Sequence, residues 1–255
     1  MNVSLTDHLV CPRCGPPFGL VLLARDVRDR RVRQGEFGCP NCRDGFPVVG
    51  GFGDLRPPPR GPEPSGVVVG EGGGAAVSGE LGDAGSEPDG GGAPAGDPDS
   101  GTAGAALRLA AALGVTRGPG LIVVPDSCRD EAGPLARMVS GIEVVVVGWG
   151  GRALAADGVS AFVTGPRLPL RDGVARGVVA EGGAGEGWWG ECLRVLMPGG
   201  RIVITGATDT VREWVSSTGL VILLDEDGMM VAAAAVPGAS PRMGRWIGRT
   251  DKRNP

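Results

Sequence analysis

The residues of this 255-residue chain best placed to do chemistry are four cysteines in two tight pairs, Cys11-Pro-Arg-Cys14 and Cys39-Pro-Asn-Cys42. A CxxC turn lets both thiolates point at one ion, and two such turns complete a tetrahedral site. The competing chemistry is a pair of redox CxxC motifs, but those ordinarily open a helix in a βαβ unit. Proline after the first cysteine of both pairs suits zinc knuckles better. With thiolates at all four positions no place remains for a metal-bound water. The zinc expected on Cys11, Cys14, Cys39 and Cys42 is therefore structural, not catalytic.

Other chemistry is thinly supplied. The chain has one histidine, His8, and no tyrosine, so a His-centred triad or histidine base beyond the cysteine region is excluded. Cys128 and Cys192 have no base partner; Cys192 lies on an apolar helical face and reads as core, Cys128 as a loop thiol. Trp188-Trp189, in the short segment ahead of that helix, reads as core lining, with an exposed docking patch as the alternative.

The elements that must position these residues fall into four segments. Residues 1–59 form the metal unit, too small to fold on apolar burial alone and held by zinc binding of about 10–16 kcal/mol. Leu20–Leu23 and Val32 read as its strands. Arg25, Arg28, Arg30, Arg31 and Arg33, interleaved with Asp26 and Asp29, read as a solvated hairpin face rather than a partner or RNA surface. Residues 60–104, rich in Gly, Pro, Ser and acid, read as a disordered linker. Gly70–Gly74 lacks the Lys-Ser/Thr of a phosphate loop. Residues 105–237 carry strand and helix patterns, and 238–255 form a basic tail with Arg242, Arg245, Trp246 and Arg249. That tail suits an acidic partner, RNA or the chain's own linker, against the plainer reading of a frayed terminus. The net charge of −4 is too mild to argue for nucleic acid or membrane. No apolar leader follows the start and no run approaches the roughly 18 apolar residues of a span, so a cytoplasmic protein without membrane contact is expected.

In the third segment, Glu191–Gly206 joins an apolar helical face (Cys192, Val195, Leu196), a Pro198-Gly199-Gly200 stop and the β-branched run Arg201–Thr205. Upstream, a helix from Thr102 to Gly114 precedes strands at Leu121–Val124, Ile142–Val147, Val159–Val163 and Gly177–Ala180. Helices are expected at Pro134–Val139 and Gly151–Ala156. Downstream come a helix at Val211–Ser217 and a hairpin of Leu220–Leu224 with Met229–Val236 about Asp225-Glu-Asp-Gly228. Strand–helix alternation closing on a hairpin predicts an α/β fold, a doubly wound and mostly parallel sheet with an antiparallel edge hairpin.

Two family resemblances attach to these residues. Leu5-Thr-Asp-His-Leu-Val-Cys-Pro-Arg-Cys and Cys39-Pro-Asn-Cys-Arg-Asp-Gly-Phe-Pro-Val-Val resemble the zinc ribbons that activate tRNA and protein methyltransferases, also found fused ahead of bacterial methyltransferase domains. Gly50-Gly51-Phe52-Gly53 departs from that family's Asp-Gly-aliphatic-Pro exit turn. Residues 103–236, with Arg194-Val-Leu-Met-Pro-Gly-Gly-Arg201 and Leu168-Pro-Leu-Arg-Asp-Gly173, resemble the class I S-adenosylmethionine-dependent methyltransferase domain, which implies a seven-stranded Rossmann-like sheet.

The second resemblance implies an acid and three glycines after the first strand, a ribose acid after the second and an adenine acid after the third. Here Val123 stands for the first acid, Pro125, Ser127 and Arg129 for the glycines, Gly148 for the ribose acid and Pro166 near the adenine acid. Arg176 replaces the acid that usually opens strand four. Proline lacks an N–H, and an arginine fills space meant for ligand. The expectation is a non-catalytic binding or scaffold protein with no S-adenosylmethionine, working through a protein partner such as an active methyltransferase, with RNA the lesser partner class. The alternative is an active methyltransferase with an atypical pocket built from Asp126, Ser127, Trp149 and Leu168.

Overall fold

The structure, a computed structural model, describes residues 1–62, 98–150, 154 and 156–236. Most of the expected linker, most of the short helix at 151–156 and the basic tail lie outside the described residues. The chain opens with a 3-10 turn, Val3–His8, capped by Asn2, whose side chain accepts the Ser4 N–H. Then follow β1 (Val10–Cys11), β2 (Gly15–Gly19), β3 (Val21–Arg28), β4 (Arg31–Gly38), β5 (Gly45–Val49) and β6 (Phe52–Leu55). The second part comprises α1 (Pro98–Leu113), β7 (Gly120–Pro125), a 3-10 turn at Asp126–Cys128, α2 (Arg129–Met138), β8 (Ile142–Val147), β9 (Val159–Thr164) and β10 (Ala175–Glu181). It closes with α3 (Glu186–Val195), β11 (Leu196–Thr205), α4 (Asp209–Ser217), β12 (Val221–Glu226) and β13 (Met229–Ala233).

The strands of the second part lie in the order β9-β8-β7-β10-β11-β13-β12, parallel except for β13, which runs antiparallel between β11 and β12. This is the doubly wound, Rossmann-like methyltransferase fold with its antiparallel edge hairpin. The Pro-Gly-Gly stop works differently from the expectation. α3 already ends at Val195, and Pro198-Gly199-Gly200 forms an irregularity inside β11, where the register against β10 shifts between Ala175↔Leu196 and Gly177↔Arg201. Trp188 and Trp189, expected just ahead of a helix, sit inside α3.

Period-two burial divides the core. Leu121, Val123, Val145, Val178, Ala180, Ile202 and Ile204 lie in one cluster with α3, α4 and the chain's opening residues Leu5 and Leu9, while Ile122, Val124, Val144, Val146, Val179 and Val203 lie in a second with α1 and α2.

The ribbon strands extend the same sheet. β6 runs parallel to β9, from Phe52↔Ala161 to Leu55↔Thr164, and the order β6-β5-β4-β3 carries the sheet to eleven strands. All four residues of β6 are buried, as befits an internal strand. A polar cluster fastens the seam. The Asn2 N–H donates to Ser160 Oγ at 2.8 Å and Asn2 Nδ2 to Glu143 at 2.9 Å, while Arg31 lies 3.7 Å from Glu143 and donates to the Val159 carbonyl. Glu143 and Ser160 are buried, and these partners satisfy them.

Candidate functional site

The cysteine knuckles meet as spacing predicts. The four Sγ atoms lie within 4.8 Å of one another, with Cys11–Cys42 at 3.6 Å and Cys14–Cys39 at 3.9 Å. A tetrahedron with Zn–S bonds of about 2.3 Å has edges of about 3.8 Å, so the donor set fits zinc. Two N–H groups point at sulfur, from the Cys14 backbone to Cys11 at 3.4 Å and from Asn41 Nδ2 to Cys14 at 3.3 Å, as donors around thiolate ligands should.

The knuckle is joined to the second part near the sheet's carboxyl end. Leu9 bridges Leu170, the Val10 N–H donates to the Pro169 carbonyl at 3.0 Å, and the Arg171 N–H donates to the His8 carbonyl at 2.9 Å. Behind this loop, Arg194 donates to the carbonyls of Leu168 and Leu170, each at 2.8 Å, and pairs with Glu191 at 2.7 Å and Asp172 at 2.6 Å. Glu191 in turn accepts the Leu168 N–H at 3.0 Å. Burial works against the Arg194 charge, but these carboxylates outweigh it and raise its pKa above the ordinary value. The segment after β9 is thus clamped between the cysteine knuckle and α3.

Beyond the carboxyl ends of β7, β8, β9 and β10 lies a cleft of about 730 Å³. This is where open parallel sheets bind ligands, and the volume suits a small molecule. Pro125, Val147, Pro166 and Trp188 form its apolar walls; Asp126, Glu181, Glu186 and Glu191 supply carboxylates, and Arg167 a guanidinium. The buried Trp189 donates its indole N–H to the Glu181 carbonyl at 2.9 Å, which pins α3 to the end of β10 and sets Trp188 beside the cleft.

On one side the cleft is shut. The Gly150 N–H donates to Asp126 Oδ2 at 3.0 Å, tying the loop after β8 to the turn after β7. Gly148 has φ +146°, and a Cβ there would collide with Asp126 Cβ and lie 2.8 Å from its Cγ. A Cβ at Gly150 would meet Asp126 Oδ1 and lie 2.5 Å from Arg129 Nη1. The crevice between the first two strands is therefore filled by Asp126 and Arg129, and only glycine fits opposite them.

Of the four pocket residues expected from sequence, Asp126 and Ser127 line the cleft. Trp149 does not: its ring stacks on Phe52 of β6 at 6.0 Å, with the Arg56 guanidinium 4.5 Å from its centroid. Leu168 is fully buried beside the knuckle. Sequence reasoning missed Arg167, Glu181, Glu186 and, as a cleft residue, Trp188. None belongs to a motif, and the one available signal was their place just after a parallel strand or at the start of the next helix. In neither of the remaining cysteines is the thiolate favoured. Burial pushes Cys192 up to about 12, with Glu191 adding to it. Cys128 is raised chiefly by burial, which outweighs the opposing contact from Ser127, with Glu131 and Glu181 adding to the rise.

The fold and the cysteine cluster define a methyltransferase-like α/β protein with a four-cysteine unit built onto its sheet. No protein-family model and no curated protein matches the chain. Among solved structures it is similar to a candidate S-adenosyl-L-methionine-dependent methyltransferase from Methanococcus maripaludis, at 16% identity and TM-score 0.42, over 54% of this chain and 86% of that one. It is similar to the [4+2]-cyclase SpnF at 14% identity and TM-score 0.45, over 52% and 81%. A third is the geranyl diphosphate C-methyltransferase of Streptomyces coelicolor A3(2), solved with Mg2+, geranyl-S-thiolodiphosphate and S-adenosyl-L-homocysteine, at 16% and TM-score 0.43, over 52% and 76%. Likenesses this distant assign no residue a role. No helix among the described residues is long and apolar enough to cross a membrane.

Proposed function

We propose that this chain is a zinc-stabilised, cytoplasmic binding protein built on a methyltransferase scaffold whose S-adenosylmethionine site has eroded. Its partner would be another protein, in the first instance an active methyltransferase, as the ribbon's resemblance to methyltransferase activators suggests. One observation carries the reading. Asp126 fills the crevice between the loops after β7 and β8, bonded to the Gly150 N–H at 3.0 Å, where the family's glycines leave room for the cofactor. Gly148, in place of the ribose acid, offers no carboxylate. Calorimetric titration of the purified protein with S-adenosylmethionine and S-adenosylhomocysteine tests it; the expected result is no heat of binding, and micromolar affinity for either sinks the reading.

The open cleft of about 730 Å³ favours a second reading, an active methyltransferase with an atypical pocket. In that case Asp126 and Ser127 contact the cofactor, whereas Trp149 and Leu168, engaged elsewhere, do not. The same titration separates the two. RNA as partner predicts an affinity falling steeply with salt, and a flat response removes it.

A further inference from the structure

The cleft that remains open has an electrostatic character of its own. Glu191 is neutralised by Arg194 at 2.7 Å, but among the described residues no arginine or lysine nitrogen lies within 4.0 Å of the carboxylates of Asp126, Glu181 or Glu186. Arg167 is the one base in the lining, and its guanidinium is turned toward the knuckle, with Nη1 3.5 Å from the Cβ position of Gly15. Asp126 is turned into the closed crevice beside Arg129, which leaves Glu181 and Glu186 on a concavity walled by Pro125, Val147, Pro166 and the indole of Trp188. Low-dielectric walls focus a field of one sign into the space between them. The negative field from Glu181 reaches the Cys128 thiol, whose pKa it helps to raise. An aromatic face adds a specific attraction for cations, about 0.5–2 kcal/mol according to desolvation.

We propose that this cleft binds a small organic cation, an amine or quaternary ammonium carrying an apolar body, with Glu181 and Glu186 holding the charge and Trp188 the face beside it. The proposal rests on the reading that the S-adenosylmethionine site has eroded, which leaves the cleft free for another ligand. A neutral or anionic ligand of the same size is disfavoured, since it would desolvate the carboxylates without compensating them.

The test uses the full-length zinc-loaded protein and benzyltrimethylammonium as probe, a single charge that gains no multivalent hold on the acidic segment between residues 63 and 97. Titration calorimetry and tryptophan fluorescence should report one site per chain. Binding should weaken at least tenfold in Glu181→Gln/Glu186→Gln and severalfold in Trp188→Ala, with the thermal midpoint of both variants unchanged. Benzyl alcohol, the uncharged control, should bind at least tenfold more weakly than the cation. Equal affinity for the control, an unweakened glutamine variant, or no binding of the cation up to 10 times the concentration of a typical millimolar site would each overturn the proposal. Micromolar binding of S-adenosylhomocysteine would instead overturn the eroded-site reading while leaving the cation result to stand or fall by itself.

Discussion

Gly148→Ala puts one methyl group where the loops after β7 and β8 meet. The backbone there has φ +146°, a region nearly reserved for glycine, and holding alanine in it costs about 1–3 kcal/mol. The new Cβ also collides with Asp126 Cβ and lies 2.8 Å from Cγ and 3.2 Å from Oδ2. Overpacking of this kind costs about 1–3 kcal/mol. The expected loss is about 2–6 kcal/mol, a large part of the 5–15 kcal/mol that holds a typical domain. Asp126→Gly removes the obstacle, so in that background the same methyl should cost only its backbone share. A double-mutant cycle should then show about 1–3 kcal/mol of coupling. Urea unfolding of the four proteins at pH 7, compared at equal m values, measures it. Gly148→Ala within about 0.5 kcal/mol of the parent, or additivity within that margin, would refute the claim that Asp126 fills the crevice. For the same steric reason, Gly148→Asp should restore an acid type but no affinity for S-adenosylmethionine.

Two further outcomes follow from the ribbon and its seam. Cys39→Ser should abolish stoichiometric zinc and speed hydrogen exchange at the Val10 and Arg171 amides, whose partners are the Pro169 and His8 carbonyls; unchanged exchange in the metal-free protein would show that zinc does not hold the segment after β9. Asp54 is buried on β6, and although burial raises its pKa, the Arg56 guanidinium at 2.8 and 2.9 Å, the Arg56 N–H and Arg60 outweigh this and hold it below the ordinary carboxylate value. A depressed folded pKa means stability that is present above the unfolded value of about 3.9 and lost as pH falls through the folded one. Asp54→Asn should therefore cost about 2–3 kcal/mol near neutral pH, the worth of bonds to a charged group, and progressively less below pH 4. A difference in urea midpoint that stays constant from pH 3 to pH 7 would contradict this.

The four-cysteine cluster was legible in the sequence because its members come in two local turns, and a CxxC turn presents both sulfurs without help from the rest of the chain. The strands and helices of the second part were legible for a similar reason. Runs such as Ile142–Val147 and Arg201–Thr205 carry their own periodicity, and Pro198-Gly199-Gly200 its own punctuation. Element order then gave the doubly wound sheet. Also readable were the residue types that stand where the resembled family carries its glycines and ribose acid, Pro125, Ser127, Arg129 and Gly148.

What those residues do to the space beyond the strands was decided only by contacts between residues far apart in the chain. Asp126 meets Gly148 and Gly150 because two parallel strands end side by side, and no local pattern says which way its carboxylate turns. Trp149 stacks on Phe52, almost a hundred positions away, because β6 pairs with β9 and brings the ribbon into the sheet. The cleft itself is a product of the same assembly. Glu181, Glu186 and Arg167 lie unmarked in the sequence and become neighbours where the strands end. Local residue types thus determined the elements and the four-cysteine cluster, whereas the shape and charge of the space between elements arose only when the sheet closed over them.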